Sequence, residues 1–257
     1  MIGFFSFLFD QLFPETCVVC GREITDLDSV PSVVRGAWQG EDLGFFIDAS
    51  QLSDAGLSRR VICSDCLFRL ERTVGDAFLP FYRYNGMKVR VVSPFFINDP
   101  LLELIHFLKF GGGKAAALSL SWWMALSLRR LFSRRSDRVT VVPVPLHRRR
   151  RVSRGYNQAE ELAIGVCSAL RLELITKAVI RKRHTKRQSD LPAEKRRANV
   201  KGAFELVDAE VFAKRDIVAV DDLVTTGETV TSFVKEIAGA KPHSITVLSA
   251  ARSRNLP

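Results

Sequence analysis

The sequence predicts an α/β fold in which a mostly parallel sheet is flanked by helices. Three short apolar runs rich in β-branched residues, at 139–144, 217–220 and 245–248, are typical of strands covered on both faces. Segments with the apolar spacing of helices, such as 100–110 and 156–170, precede or separate them. The 257 residues are 47% hydrophobic, which suffices for one sizeable α/β domain and a small additional module.

The stretch from Ile217 to Thr231 combines a strand, an acidic pair, a small polar turn and a helix. Two aspartates follow the strand at its carboxyl end, where ligands bind in open α/β sheets. The turn and the start of the helix offer unpaired N–H groups and a positive dipole end, which suit a phosphate. The carboxylates would face ribose hydroxyls or a divalent cation that a phosphorylated sugar brings with it. The candidate binding residues are Asp221, Asp222, Val224, Thr225, Thr226, Gly227, Glu228 and Thr229.

From Val218 to Thr229 this stretch resembles the phosphoribosyl pyrophosphate (PRPP) signature of type I phosphoribosyltransferases. The resemblance implies a type I phosphoribosyltransferase-like sheet and a site for PRPP with Mg²⁺. A threonine-rich turn that only closes a βα unit is the alternative. Folding alone, however, gives little reason for two adjacent carboxylates beside a helix N-terminus.

A run of arginines, Arg148 to Arg151, comes shortly after the strand at 139–144. Guanidinium groups pair with phosphate oxygens in bidentate fashion, and in type I phosphoribosyltransferases the turn after an early strand holds the pyrophosphate. Such a run is usually a solvated face, but its position after a parallel strand favours phosphate contact for one or two arginines. The candidate residues of this basic turn are Pro145, Leu146, His147, Arg148 and Arg154.

Four motifs together are similar to the ComF family of competence proteins. They are VPVPLH at 142–147, RGYNQ at 154–158, the R-x-T-x-x-Q segment at 183–188 and the PRPP signature. An amino-terminal module with four cysteines belongs to the same pattern, so that the resemblance covers nearly the whole chain except 22–62. It implies a role in DNA uptake during natural transformation, where incoming DNA is single-stranded in the cytoplasm.

The segment 181–201 is the most basic and least periodic part of the chain. In phosphoribosyltransferases a flexible loop at this point closes over the bound sugar and excludes water. A simple exposed connection is the alternative. The candidate loop residues are Arg183, Lys186, Arg187 and Gln188.

Two C-x-x-C pairs, Cys17 with Cys20 and Cys63 with Cys66, predict a zinc site. Each pair offers two thiolates at a fixed spacing, and four thiolates leave no open position, so the zinc would be structural. A vestigial knuckle without metal is the alternative. The segment 22–62 between the pairs is longer than such modules usually have.

The formal net charge of +10 favours a polyanionic partner. Lys109 and Lys114 flank a glycine run that lacks the spacing of a phosphate-binding loop, and a solvated helix end explains them equally well. The apolar start, MIGFFSFLFDQLF, is too short to span a bilayer and lacks the charged beginning of a signal peptide. We expect it to pack as an amphipathic helix, and we expect a cytoplasmic protein without a membrane span.

The predicted division places the first helix and the cysteine module in residues 1–80 and the phosphoribosyltransferase-like domain in 81–257. Two functions stay open for that domain, and both can hold. One is PRPP binding, with or without transfer of the phosphoribosyl group to a nitrogen acceptor in nucleotide metabolism. The other is sequence-tolerant binding of single-stranded DNA by the basic segments and neighbouring tyrosines. A third hypothesis makes the cysteine module a docking platform for a helicase or recombination protein.

Overall fold

The computed structural model describes residues 16–24, 61–73, 78–84, 87–110, 113–129, 138–183 and 202–256. The predicted amino-terminal helix, most of the segment 22–62, and Lys186, Arg187 and Gln188 lie outside these residues.

Seven strands of the described residues form one sheet, in the order β1-β2-β9-β8-β4-β5, with β3 also pairing to β9. The pairs β2–β9, β3–β9, β9–β8, β8–β4 and β4–β5 are parallel, and β1–β2 is antiparallel. The prediction of a mostly parallel sheet flanked by helices is therefore confirmed. The strands are β1 Phe78–Tyr84, β2 Met87–Val92, β3 Phe95–Phe96, β4 Val139–Pro143, β5 Glu173–Leu174, β8 Asp216–Val224 and β9 Ser244–Arg252.

The central strands are buried because their side chains are apolar on both faces. Every residue of β4 is buried, as are the first five residues of β8. The strand β8 is longer than the apolar run 217–220, because backbone pairing with β9 continues through both aspartates to Val224. A separate two-stranded sheet joins β6 (Val179–Arg181) to β7 (Phe204–Leu206).

The helices of the described residues are α1 Ser64–Phe68, α2 Asp99–Phe110, α3 Lys114–Arg129, α4 Arg148–Arg154, α5 Gln158–Leu170 and α6 Glu228–Ala238. Helix α5 begins at Asn157, whose side-chain oxygen accepts from the backbone N–H of Ala159 at 3.2 Å. The same side chain donates through Nδ2 to the carbonyl of Val144 at 3.1 Å, which ties the start of α5 to the end of β4.

Helix α4 corrects the sequence analysis, which placed the arginine run in a turn. His147 caps the helix, its Nδ1 accepting from the backbone N–H of Arg149 at 3.2 Å. Arginine is a good helix former, and Gly155 ends the helix in the left-handed conformation, with φ of 82°. The segment therefore forms one short helix where the sequence analysis predicts a turn, because His147 caps it, its arginines favour a helix and Gly155 ends it.

The described chain divides into two compact units. One comprises the described parts of Met1–Glu71 with Asn98–Ser119, and the other comprises Arg72–Ile97 with Leu120–Pro257. The sheet and the core of the second unit are built from small and β-branched side chains of the strands together with the buried face of α6. That face repeats at helical spacing, with Val230, Phe233, Val234 and Ile237 buried.

Candidate functional site

The two aspartates occupy the carboxyl end of β8, as the sequence predicts. Asp221 pairs across the backbone ladder with Ser249 of β9. Asp221 Oδ1 accepts from the backbone N–H of Asp222 at 2.9 Å, and Asp222 Oδ1 accepts from that of Leu223 at 2.8 Å. Both side chains are half-buried. These local hydrogen bonds orient two carboxylates at the sheet edge where α/β proteins bind ligands.

The polar turn leads directly from β8 into α6. Gly227 stands at the helix N-cap with φ of 74° and ψ of 0°, a conformation that favours glycine. It contributes no side-chain cap, and the first helical bond is donated by the N–H of Thr231 to the carbonyl of Gly227 at 2.7 Å. The start of α6 therefore lies at a hollow of about 220 Å³, open solvent included, that residues 223–230 line.

Arg181 lies within electrostatic reach of both the first aspartate and Arg150. The guanidinium carbon of Arg181, at the end of β6, lies 5.3 Å from the ring centroid of Phe204. Burial and the positive charge of Arg150 lower the pKa of Arg181 to about 10, while the carboxylate of Asp221 opposes that shift. Strand β6, helix α4 and strand β8 thus bring two cations and one anion together.

Sequence reasoning had grouped Arg150 with its neighbours and left Arg181 out of the candidate residues. No pattern within the run 148–151 distinguishes Arg150. Arg181 is 40 positions from Asp221 by the numbering of the chain, and only the placement of the β6–β7 sheet brings the two charges together. The rings of Phe204 and Phe233, an edge-to-face pair with centroids 5.2 Å apart, pack that sheet against α6.

The other candidate residues of the predicted basic turn differ in their surroundings. His147 caps α4, and Arg154 Nη1 donates to Gln158 Oε1 at 2.9 Å. Arg148 is exposed, and Pro145 and Leu146 are half-buried between β4 and α4. Of the predicted mobile segment, Arg183 is exposed directly after β6, and its backbone N–H reaches the carbonyl of Ala203 at 3.5 Å.

The four predicted cysteines form a cluster in the first compact unit. Their Sγ atoms all lie within 4.8 Å of one another, and those of Cys20 and Cys63 are 3.8 Å apart. A tetrahedral zinc with Zn–S distances of ~2.3 Å requires S···S separations of about 3.8 Å. Burial raises the pKa of the Cys66 thiol, and the neighbouring thiols raise it further.

The backbone around the first pair is shaped for such a knuckle. The N–H of Cys17 donates to the carbonyl of Arg22 at 2.7 Å, and that of Gly21 donates to Cys17 at 2.8 Å. Gly21 has φ of 73°. Four convergent thiols fit a structural zinc, since a bound cation would favour their thiolate forms. With all four positions taken by protein, this group could hold a metal but not catalyse at it.

Among the helices of the described residues, none is both long enough and apolar enough to cross a bilayer.

No model of a protein family matches the chain. Among curated proteins, it is similar to competence protein F of Haemophilus influenzae, with 32% identity over 60% of this chain and 69% of that protein. It is also similar to the DNA utilization protein YhgH of Escherichia coli K12, with 38% identity over 57% of this chain and 64% of that protein. The matched part therefore spans about two thirds of each of these relatives.

Two of the solved structures similar to the chain are named phosphoribosyltransferases. One is a hypoxanthine-guanine phosphoribosyltransferase of Schistosoma mansoni, with a TM-score of 0.31 over 53% of this chain and 55% of that one. Another is a purine phosphoribosyltransferase of Pyrococcus horikoshii, with a TM-score of 0.35 over 55% of this chain and 78% of that one. Identities of 14% and 15% at these scores are too low to place any site residue.

Proposed function

The chain belongs to the competence protein F family, and we propose that it binds a 5-phosphorylated ribose, PRPP or a close relative, at the carboxyl end of β8. The observation that carries this proposal is the junction of β8 with α6. There, two adjacent aspartates precede a turn that ends in the left-handed Gly227 and opens the N-terminus of a helix. A sugar needs hydroxyl acceptors and its phosphate needs N–H donors, and this junction offers both within one short stretch.

The 5′-phosphate is proposed to lie in the hollow lined by residues 223–230. Backbone N–H groups and the positive end of the α6 dipole would bind it, with the hydroxyls of Thr225, Thr226 and Thr229 as further donors. Asp221 and Asp222 would accept from the ribose hydroxyls, either directly or through Mg²⁺ that enters with the ligand. Because the ligand is itself polyanionic, the cation also reduces its repulsion from the two carboxylates.

We propose Arg150 and Arg181 as the groups that bind the pyrophosphate. Burial is the main cause of the lowered pKa of Arg181, and the positive charge of Arg150 lowers it further because the two guanidinium groups repel one another. Asp221 offsets only part of the two positive charges, so a diphosphate beside them gains charge-assisted hydrogen bonds and relieves the repulsion. The start of α4, with Arg148, and the loop of Arg183, Lys186, Arg187 and Gln188 would complete the enclosure when the ligand is bound.

Transfer of the phosphoribosyl group is a second candidate function, and the position of the two arginines favours it. In that reaction a nitrogen nucleophile attacks the anomeric carbon of the sugar, and the carbon–oxygen bond to pyrophosphate breaks. The leaving group carries the electron pair, and cations fixed beside it stabilise the developing charge. Pyrophosphate release from PRPP in the presence of candidate bases measures this activity.

The names of the relatives supply the biological setting of the proposal. A competence protein and a DNA utilization protein both concern DNA, and a net charge of +10 suits a polyanion. We therefore propose that the chain handles single-stranded DNA in the cytoplasm during DNA uptake. The cysteine cluster, with structural zinc, is proposed as a rigid module on which a helicase or recombination partner docks.

Titration calorimetry with PRPP and Mg²⁺ tests the ribose site. Wild-type protein should bind, and the double variant Asp221→Ala with Asp222→Ala should lose at least two orders of magnitude in affinity, about 3 kcal/mol. Glu103→Gln, an exposed carboxylate of α2, is the matched control and should bind normally. Absence of binding by the wild-type protein, or equal binding by the double variant, would refute the proposed site.

A further inference from the structure

Three arginines interleave with three aromatic rings around β3 and the end of β9. We call this group the arginine–aromatic cluster; its members are Arg72, Phe95, Phe96, Trp123, Arg252 and Arg254. At one end, the guanidinium carbon of Arg72 lies 4.9 Å from the ring centroid of Trp123. Trp123 in turn meets Phe95 edge to face, with centroids 5.7 Å apart and planes at 64°.

The other end of the cluster centres on Phe96. The guanidinium carbons of Arg252 and Arg254 each lie 4.6 Å from its ring centroid. Arg252 is 3% exposed, whereas Arg254 is exposed and Phe96 is half-buried. The inner guanidinium is therefore part of the protein interior, and the outer one presents an ordered cation to solvent.

Backbone pairing fixes this end of the cluster beside the ribose site. Phe96 pairs with Arg252, and Arg252 pairs with Val224, so the three residues form one row across β3, β9 and β8. Backbone bonds from Ile97 N–H to the Arg252 carbonyl, at 3.0 Å, and from Ser253 N–H to the Val224 carbonyl, at 2.9 Å, extend the row. Strands lie ~4.8 Å apart, so Phe96 is about 10 Å from the start of the phosphate turn.

We propose that Arg254, supported by Phe96, is a stacking platform for a nucleobase of single-stranded DNA. The inference rests on the DNA-handling part of the proposed function and adds the surface on which a base would lie. A planar guanidinium stacks on the face of any base, so recognition would be sequence-tolerant. The aromatic ring beneath it limits the conformations of the arginine, which reduces the entropy lost when a base binds.

The position of the platform agrees with a strand of nucleic acid that crosses this edge of the sheet. Phe96 and the phosphate turn are about 10 Å apart, which is two strand spacings. A phosphate at the turn and a base on Arg254 are therefore compatible with neighbouring parts of one chain. The charges of the cluster also attract the phosphate backbone, whereas lysines at the same positions would attract it without offering a planar face.

Fluorescence anisotropy with two labelled oligomers of equal length tests the proposal. One is oligothymidylate, and the other has the same backbone with abasic sites throughout. Both oligomers have the same phosphates and differ only in their bases. The ratio of their affinities therefore measures the contribution of the bases to binding. The variants are Arg254→Lys, which keeps the charge but loses the planar group, and Phe96→Leu, which keeps an apolar side chain but loses the ring.

For Arg254→Lys we expect oligothymidylate affinity to fall about tenfold, while affinity for the abasic oligomer stays unchanged. Phe96→Leu should give a smaller fall in the same ratio. The control is Arg138→Lys, the same exchange at an exposed position before β4, and it should leave both affinities unchanged. A parallel titration with thymidine monophosphate shows whether Arg254 binds a base of a DNA strand or the base of a free nucleotide.

The results separate failure of the platform from failure of the proposed function. If Arg254→Lys keeps the wild-type ratio, or weakens thymidine monophosphate alone, the platform for DNA is refuted while DNA handling stands. If the wild-type protein binds neither oligomer, both the platform and the DNA-handling function are refuted. Arg254 is exposed, so its variant is expected to fold, and an unchanged thermal unfolding midpoint verifies this.

Discussion

The amino and carboxyl ends of the central parallel strands, which we call the amino edge and the carboxyl edge of the sheet, carry similar charged residues with different surroundings. At the amino edge, Asp216 is 8% exposed and accepts from the side chain of Ser244, and its Oδ1 lies 2.7 Å from His243 Nδ1. Beside it, Arg215 Nη1 meets Glu173 and donates to Thr140 Oγ1 at 2.9 Å. Asp216 and Arg215 thus each have a partner of complementary character.

At the carboxyl edge two like charges and one carboxylate converge. Arg181 lies within electrostatic reach of both Arg150 and Asp221, and burial and the charge of Arg150 lower the pKa of Arg181 despite that carboxylate. The turn after β8 adds the hollow that residues 223–230 line. The comparison teaches that charge alone does not indicate a ligand site. We propose the carboxyl edge as the ligand site because Arg150 and Arg181 repel one another there, and folding alone gives little reason for that arrangement.

Metal removal gives the largest expected effect and extends the comparison to a third region. The cysteine cluster is closed, like the amino edge, so its contribution should be to stability. Removing zinc with a chelator, or changing Cys63→Ser, should destabilise the first compact unit by several kcal/mol, because four convergent thiols lose the metal ion that they share. Metal content by mass spectrometry and thermal unfolding measure this. A protein that contains no zinc and unfolds identically with chelator would contradict the assignment.

A pair of aspartate variants tests the difference between the edges directly. Asp216→Ala should lower the free energy of unfolding by about 2 kcal/mol, because it leaves the partners of a buried carboxylate without their acceptor. Asp221→Ala should change it by less than about 1 kcal/mol. Urea denaturation measures both, and titration with PRPP should show the opposite order of effects. The comparison fails if both variants are equally destabilised and both keep their ligand affinity.

Arg181 tests whether the converging charges serve the ligand. Arg181→Ala should lower PRPP affinity by about 2 kcal/mol, the usual size of a charge-assisted hydrogen bond, and leave affinity for ribose 5-phosphate unchanged. Arg181→Lys keeps a charge but loses the bidentate fork and should give an intermediate loss. Equal losses for both ligands would assign Arg181 to the fold instead of the pyrophosphate.

The same arginine gives a pH dependence with a defined sign. Its pKa is lowered to about 10 in the folded protein, so burial opposes the cation, and this unfavourable contribution to stability is present below pH 10. It disappears as the arginine loses its proton above that pH. PRPP needs the cation, so its affinity should be constant near neutral pH and decline as the pH approaches 10. An affinity that stays constant through that range would show that Arg181 does not contact the ligand.

Gly227 gives the smallest effect. Gly227→Ala places a side chain at φ of 74° and should destabilise the protein by about 1 kcal/mol while weakening PRPP binding. Gly202→Ala is a matched control, since Gly202 has φ of 62° and open space around it, and it should show the strain without the loss of affinity. Equal PRPP affinities in the two variants would show that the turn at Gly227 does not bind the phosphate.

Local patterns predicted most of the elements in the sheet. The β-branched run 217–220 forms the buried start of β8, and the apolar spacing of 100–110 forms α2. The turn at Gly227 was also predictable, because glycine before a helix has few other roles. The pairing of Cys17 and Cys20 with Cys63 and Cys66 followed from their spacing, and their Sγ atoms do converge.

What escaped prediction depends on contacts between distant segments. The approach of Arg181 to Asp221 results from the packing of Phe204 against Phe233, which no window of the sequence contains. The partners of Arg154 were missed for another reason, since its pairing with Gln158 needs the relative placement of two consecutive helices. Helix α4 was within reach, because a capping His147 and a terminating Gly155 are local signals.

A crystal structure of the protein with PRPP and Mg²⁺ tests the central claim most directly. The account predicts the 5′-phosphate in the hollow of residues 223–230, the ribose hydroxyls at Asp221 and Asp222, and the pyrophosphate between Arg150 and Arg181. Ligand bound at another surface, with these four side chains unchanged and uninvolved, would contradict it.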